Sequence, residues 1–595
     1  MTANRHLPLP AGACFALACA AIAGVASAED VFPKPGWQEY TNPLASATAT
    51  PGGEIRVFPG QYPESFNYYL ANNSFCADLF TLLYDTLLDM NPLTPEHEPA
   101  LARQWAISDD KRAFTFWLDP RARWSDGRPI TAADVAWTFN AITNPANLTG
   151  VNKVAFEKFA PPEVLAGNAV RFTCAEVHWR NLGALGGFSI LPRHVFATQD
   201  FNKVNFAFPV VSGPYRLGAI KEGVFARLQR RPDWWRRGDR RVANTYNFDA
   251  VNYRFYAEQE NAFEAFKKGL VDLFPVYMAR MWVNEARGDK FDANWIVKQR
   301  VENRQPVGFQ GFAMNMRRPP FDDLRVRRAM ACLLDRERMN RTLMYNQYFL
   351  HRSYFEDLYS RDRPCTNTLY AFSKERARDL LQEAGWRANP ATGLLEKDGR
   401  QFRFRFLERD QSSEKFLTIY AEDLKSVGIE LKIEKKDWAA WAKDMERFDF
   451  DMTWAAWGAG IFKDPEDMWA SREAERTGGN NVTGFKDARV DALIERQRGL
   501  FDANERHAIC REIDAIAAAQ APYVLLWNIN AVRLLYWNRF GTPPTVLSKY
   551  GGEGSAVALW WHDEDAAADL ENAMGKGLPL PAKKATVVFD EVFRQ

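Results

Sequence analysis

From residue 373 onward the sequence repeats one punctuation: an amphipathic helical stretch, a glycine, then a short stretch of alternating apolar residues. Residues 373–384 have helical periodicity and stop at Gly385-Trp386, after which residues 402–407 alternate. Residues 413–427 return to the helical period, Gly428 ends it, and Ile429-Glu-Leu-Lys-Ile433 alternates again. A glycine just past a helix end reaches the backbone conformation that closes the helix, so the chain passes directly into a strand. Earlier segments obey the same grammar. Glu54-Ile-Arg-Val-Phe58 reads as a strand, and the apolar spacing of Leu79, Phe80, Leu83, Leu87 and Leu88 predicts a helix over 76–90. Phe114–Leu118 reads as a strand, Trp124-Ser-Asp-Gly127 as a turn, and Thr131-Ala-Ala-Asp134 as a helix start with an acidic third position. A helix over 258–270, strands at 271–275 and 308–315, and one long helix over 325–344 follow. Strands alternating with helices over such a length predict an α/β protein, and 595 residues exceed what one core organises, so two or three lobes are expected.

The N-terminus reads as an export signal. Arg5 and His6 precede an apolar run from about Ala11 to Val25, and Ala26-Ser27-Ala28 supplies small residues for cleavage. The run, about 15 residues, is shorter than the roughly 20 that span a bilayer. Residues 1–28 are therefore expected to be removed, giving a secreted, periplasmic protein that starts near Glu29. Without Arg5 the basic and acidic side chains balance at 75 each, so no global field favours nucleic acid or an anionic membrane as partner. Five cysteines remain after cleavage: Cys76, Cys174, Cys332, Cys365 and Cys510. None forms a CxxC pair, which argues against a redox motif or zinc knuckle, and a Cys332–Cys365 bridge stays open in an oxidising compartment.

The chain lacks the marks of an enzyme. No histidine pair has the spacing of a zinc-hydrolase helix, and no G-x-S-x-G elbow or phosphate loop is present. Glu96-His97-Glu98 lies in the Pro92–Pro99 connection and reads as exposed surface. Arg230-Arg-Pro-Asp-Trp-Trp-Arg-Arg237 mixes aromatic and basic residues as a single-strand nucleic-acid binder does, but export and neutrality favour solvated surface. A secreted peptide hydrolase and a periplasmic chaperone stay open as readings of an exported chain of this kind.

Several segments, in order, resemble the extracellular solute-binding protein family 5, the dipeptide and oligopeptide receptors of ABC importers. They include Leu83-Tyr-Asp-Thr-Leu-Leu88, Pro99-Ala-Leu-Ala-Arg-Gln-Trp105, Ser212-Gly-Pro-Tyr215, Pro320-Phe-Asp-Asp-Leu-Arg-Val-Arg327, Asp335-Arg-Glu337 and Asp464-Pro465 after a Trp-rich strand. Trp295–Gln299, Gly311–Arg318 and Asn340–Tyr348 look closest to the YejA-like branch, associated with peptides, peptide-nucleotide antibiotics and peptidoglycan fragments. The resemblance implies a two-lobed type II periplasmic binding protein of cluster C. Lobe I would take residues 29–75, 208–300 and 525–595, with 76–207 as its extra subdomain, and lobe II residues 301–524. Hinge crossovers would lie near 275–310 and 515–530. A monomer would close on a peptide or peptide-like ligand and deliver it to an inner-membrane ABC permease, with no cofactor, metal or nucleic acid.

The same resemblance proposes the ligand-binding residues. Ala71, Asn72 and Asn73 form the loop before the first helix, and Asn73 reads equally as a helix cap. Trp454 and Trp457, three apart on a strand, should face opposite sides of a sheet, one toward the cleft. Three residues beyond Trp457 the family places an aspartate for the ligand's ammonium, where this chain has Gly460; Asp464, Glu466 or Asp467 could substitute. Trp527 and Asn315 complete the set of cleft candidates.

Overall fold

The computed structural model describes residues 29–409 and 413–593. The expected leader over residues 1–28, with Cys14 and Cys19, lies outside the described residues. Two sheets form the cores of two lobes. The lobe I sheet is eight-stranded, in spatial order Thr586–Val588, Ile296–Glu302, Val532–Trp537, Leu273–Pro275, Glu54–Val57, Ala250–Arg254, Phe225–Arg230 and Tyr215–Lys221. The lobe II sheet is five-stranded, in order Glu430–Lys435, Arg403–Glu408, Met452–Trp457, Phe309–Met314 and Tyr523–Leu525. A further five-stranded sheet, Glu29–Phe32, Ala102–Ser108, Ala113–Leu118, Ala169–Thr173 and Glu163–Leu165, forms the subdomain. Glu29–Phe32 pairs antiparallel with Ala102–Ser108, so the first described strand belongs to the subdomain sheet and not to that of lobe I.

The crossovers are shorter than the expected ranges. The chain leaves lobe I after Glu302 and enters the lobe II sheet at Phe309. On return, Trp527–Asn528 still pairs with Phe349–Leu350 of lobe II, so that lobe extends past the expected limit at 524, and Val532 begins the lobe I strand. The two crossings touch: Asn528 Nδ2 donates to the Gly308 carbonyl at 2.7 Å.

Two expected helices are shorter than their periodicity suggests. The helix predicted over 76–90 spans Ser74–Leu83, and Leu88–Met90 is a strand paired with His97–Pro99. Its end is set from a distance. The backbone amides of Ser212 and Gly213 both donate to the Leu83 carbonyl, and the Asp85 amide donates to Ser212 Oγ at 2.7 Å. Gly213 is required there, because a Cβ would sit 2.5 Å from the Leu82 carbonyl oxygen. The long helix over 325–344 is two helices, Leu324–Cys332 and Arg336–Leu343. Asp335 restarts it, its carboxylate accepting from the Arg338 amide at 2.9 Å. The expected acidic start at Thr131 holds: its amide and hydroxyl both donate to Asp134 at 2.8 Å.

The Arg230–Arg237 segment is not the solvated surface expected of it. Arg231, Trp234 and Arg236 are buried, Arg236 pairs with Asp89 at 2.5 Å, and the Trp235 indole donates to Asp85. Arg236 neutralises the internal carboxylates of Asp85 and Asp239, while Arg230 and Arg231 pair with the exposed Asp249 and Asp233.

The five cysteines from Cys76 onward are unpaired; Cys76, Cys174, Cys332 and Cys510 are buried, and Cys365 is half-buried. Burial pushes the Cys76 thiol up to about 11 and the Cys510 thiol up to about 12. With Ellman's reagent, Cys365 is expected to react first in the folded protein, and all five after unfolding. Two thiols missing from the unfolded total would point instead to the Cys332–Cys365 bridge.

Candidate functional site

The Trp-rich strand Met452–Trp457 pairs antiparallel with Phe309–Met314, placing Trp454 opposite Phe312 and Trp457 opposite Phe309. The two indoles take opposite faces, as strand geometry demands. Trp454 stacks edge-on against Trp527 at 5.9 Å and near Phe416, and Trp457 packs with the cluster that holds Phe309 and Tyr523. After the strand the chain leaves the sheet through Gly458-Ala459-Gly460 and presents Ile461-Phe462-Lys463 to the space between the lobes.

That space contains a cavity of about 1200 Å³ between the subdomain and lobe II, lined among others by Tyr40, His97, Trp179, Phe462 and Arg506. A second cavity of about 680 Å³ shares Tyr40, His97, Glu98, Gly183 and Phe462 with it. A third, of about 530 Å³ within lobe I, shares Thr81, Tyr246 and Ala558 with the second. The three adjoin one another through these shared walls and are together termed the groove. A fourth, of about 690 Å³, lies beside the crossovers and is lined by Ile461, Lys463 and His507. Alternate residues of the 461–463 segment thus serve cavities on either side, with Phe462 facing His97 and Trp179 at ring separations of 5.8 and 6.0 Å.

Charges of both signs line the groove. In the cavity of about 1200 Å³ Arg506 is a buried cation, and burial together with Arg506 holds His97 down at about 4; in the fourth cavity the same two causes hold His507 at about 4. At the lobe I end Asp78 lines the third cavity with Glu553, which accepts from the Tyr277 hydroxyl at 2.6 Å. Burial, and then Glu553, push the Asp78 carboxyl up to about 6.

The far end of the groove is closed by contacts between subdomain and lobe II. His178 Nε2 lies 3.1 Å from Glu466, Arg180 Nε lies 2.7 Å from Asp464, and the Trp179 indole donates to Gln497 at 2.8 Å. Lys111 donates to the Gly499 carbonyl at 2.9 Å. Beside the crossovers the Tyr348 hydroxyl of lobe II donates to the Tyr277 carbonyl of lobe I at 2.9 Å. The lobes therefore meet on both sides of the cavity in a closed arrangement. Glu466 also pairs with Arg498 and Arg472, and although burial opposes ionisation, these partners hold its carboxyl well below the usual range. His178, Asp464 and Glu466 bring ligand atoms within 4.8 Å of one another, but Arg180, Arg472 and Arg498 already neutralise the carboxylates. The group is a salt-bridge cluster, too cationic in its surroundings to attract a metal ion.

Several residues expected at the ligand have other tasks. Asn73 caps the first helix, accepting from the Cys76 amide at 2.9 Å, Asn72 is exposed, and Ala71 packs on the lobe I core. Their neighbours Ser74 and Phe75 line the third cavity. Asn315 is fully buried inside lobe II and is not a cleft residue: its amide donates to the Phe448 and Phe450 carbonyls, and its oxygen accepts from Arg317. Trp527 is likewise spent within lobe II, buried against Phe416 at 5.0 Å. Trp454 is half-buried and tied to Gln310 by a 2.9 Å bond. Gly460 is exposed, and its carbonyl accepts from the Lys463 ammonium, which also pairs with Asp357. Asp464 reaches across the lobes to Arg180. Glu96-His97-Glu98 is not simple surface. Glu98 is buried, accepting from Tyr40 at 2.7 Å and Asn91 at 2.6 Å, and His97 lines two cavities.

The model of the bacterial extracellular solute-binding proteins, family 5, matches residues 96–479. The chain belongs to that family. Its relatives include the "Probable peptide-binding protein YejA" of Agrobacterium fabrum, 28% identical over 86% of this chain and 90% of that one. The same organism's "Peptidoglycan-binding protein YepA" is 26% identical over 81% of this chain and 84% of that one. Among solved structures, the oligopeptide-binding protein AppA of Bacillus subtilis, in complex with a nonapeptide, superposes with a TM-score of 0.66 at 21% identity, covering 87% of this chain and all of that one. This likeness establishes the two-lobed type II fold. Family 5 proteins are solute-binding components of ABC importers and are periplasmic, and this chain, like them, is a binding protein and not an enzyme. Among the described residues no helix is long and apolar enough to cross a membrane.

Proposed function

We propose that this family 5 protein is the periplasmic receptor for a peptide or peptide-like solute, which it encloses between its lobes and delivers to an inner-membrane ABC permease. The observation that carries the reading is the groove itself: a cavity of about 1200 Å³, walled by both lobes and adjoined by two more, has room for a bulky or extended solute. Side chains of both charges along its walls suit a solute carrying charges of both signs. Aromatic walls at His97, Trp179 and Phe462 supply apolar contact without demanding a particular side chain. Related proteins named for peptide and peptidoglycan binding support the same class of solute.

A ligand that binds only the folded form stabilises it by about 2.7 kcal/mol at a hundred times its Kd. Titrating the mature protein with a mixed peptide pool is expected to raise Tm saturably, to reduce the radius of gyration in solution scattering, and to return the bound peptides uncleaved. Peptide turnover, or a melting curve and scattering profile indifferent to every pool offered, would overturn the reading.

A further inference from the structure

The first described residues of the chain run as a strap along the largest cavity. Glu29–Phe32 pairs with Ala102–Ser108 at the outer edge of the subdomain sheet, and residues 33–38 carry the chain on to Tyr40. Glu29, Asp30, Phe32, Lys34 and Trp37 line the cavity of about 1200 Å³, whose lobe II side includes Phe501 and Arg506. None of residues 29–38 lines the other two cavities of the groove, the first of which the chain reaches at Tyr40. The strap therefore belongs to the end of the groove remote from lobe I. It also lies outside residues 96–479, the span matched by the family model, so it is an addition to the part of the fold that defines the family.

This wall is thinly held. Glu29–Phe32 is the last strand of its sheet, so it has ladder partners on one side only and the wall is one chain thick. Phe32 stacks on Trp105 at 5.5 Å, and Arg171 reaches Glu29 at 3.2 Å. Lys34 pairs with Asp30 inside the strap and adds nothing to its anchorage, and Trp37 lies beneath the Arg241 guanidinium at 5.6 Å. Phe32 and Pro33 are half-buried, and every other residue from 29 to 38 is exposed. Few buried apolar contacts and a single short ladder mark a segment that opens locally at small cost, while the sheet behind it stays folded.

We propose that residues 29–38 are a length gate: the strap stops the far end of an enclosed solute and sets the longest one the protein holds with its lobes closed. This rests on the receptor reading above and adds to it an upper limit on solute length. At the same end of the groove the other restraints are the pairs of Arg180 with Asp464 and His178 with Glu466, which join subdomain to lobe II. A solute that forced these apart would forfeit closure itself. Displacing the strap forfeits one four-residue pairing and the Phe32 stack, so the strap is the wall that yields. Affinity for a solute too long for the cavity then falls by what the strap contributes, and solutes short enough to clear it are unaffected.

The test offers a partial tryptic digest to the mature full-length protein, to a variant lacking residues 29–38, and to Phe32→Ala. Peptides retained after rapid desalting are sorted by length by mass spectrometry. The wild type is expected to show a ceiling, above which retention drops about tenfold. The deletion is expected to hold peptides about three residues longer, roughly 10 Å of extended chain, at about ten times the wild-type level. Below the ceiling the two should retain alike. Phe32→Ala, which loosens the strap without removing it, should fall between them. An absent ceiling in the wild type, an unchanged ceiling in the deletion, or a deletion that loses every length equally disproves the gate and leaves the receptor reading standing. If the wild type retains no peptide at all, the receptor reading fails and takes the gate with it. Should the deletion not fold, as judged by melting, the wild-type length profile and Phe32→Ala decide.

Discussion

Glu466→Gln is expected to destabilise the protein by about 3 kcal/mol at pH 7, the scale observed when one member of a buried charged network is removed. Glu466 is 5% exposed and is the single carboxylate shared by His178, Arg472 and Arg498. Neutralising it leaves three cationic or basic groups facing each other across the lobe junction. The pH dependence follows from the sign of the shift. The folded carboxyl lies well below the usual 4.5, so its stabilisation is complete above that value and is lost as pH falls through the lower folded one. The gap between wild type and variant in urea unfolding is therefore expected to be full at pH 7 and to narrow below about pH 4.5. A constant gap down to pH 3 would show that the loss is steric and not electrostatic. Because His178 belongs to the subdomain, the variant is also expected to spend more time open.

Gly308→Ala is expected to cost a further large amount, about 3 kcal/mol, the upper range for forcing atoms into a packed site. A Cβ at Gly308 would lie 1.9 Å from the Trp457 carbonyl oxygen and 3.0 Å from Gly458 Cα, both backbone atoms that cannot rotate away. Relief would require prying Phe309–Met314 from the Trp-rich strand just where the chain enters lobe II. Gly458→Ala is the control: nothing lies within 4 Å of its added methyl, so its melting temperature should stay near that of the wild type. Equal behaviour of the two variants would refute the packing argument.

The α/β class and most strands were legible because their signals are local. Residues 374–383, 403–408, 414–425 and 430–435 form elements close to where periodicity and glycine punctuation set them. The errors mark non-local causes. Leu87 and Leu88 continue a helical spacing, but the helix is ended by amides of Ser212 and Gly213, contributed by a distant segment. The break at Asp335 did carry a local signal, an aspartate three residues ahead of the amide it accepts from, masked by apolar periodicity on both sides. At the site, Asp464 was expected to meet the ligand's ammonium, and the structure pairs it with Arg180 of the subdomain, a partner no local signal announces. His97 and Arg506 were not. A histidine between two glutamates, and an arginine on a mixed helix, both read as surface until the opposing lobe covers them. Asn315 and Trp527 failed for the converse reason, since nothing in their neighbours reveals that lobe II consumes their contacts internally.

The strand Val532–Trp537 lies inside the lobe I sheet, hydrogen-bonded to Ile296–Glu302 on one side and Leu273–Pro275 on the other. Until that late segment has been synthesised, the early strands of lobe I cannot close their sheet, whereas nearly all of lobe II is contiguous in the chain and can assemble first. Pairings of such long sequence separation form slowly. The order of the strands thus builds in a delay, because the lobe I sheet has to wait for a strand that arrives near the end of synthesis.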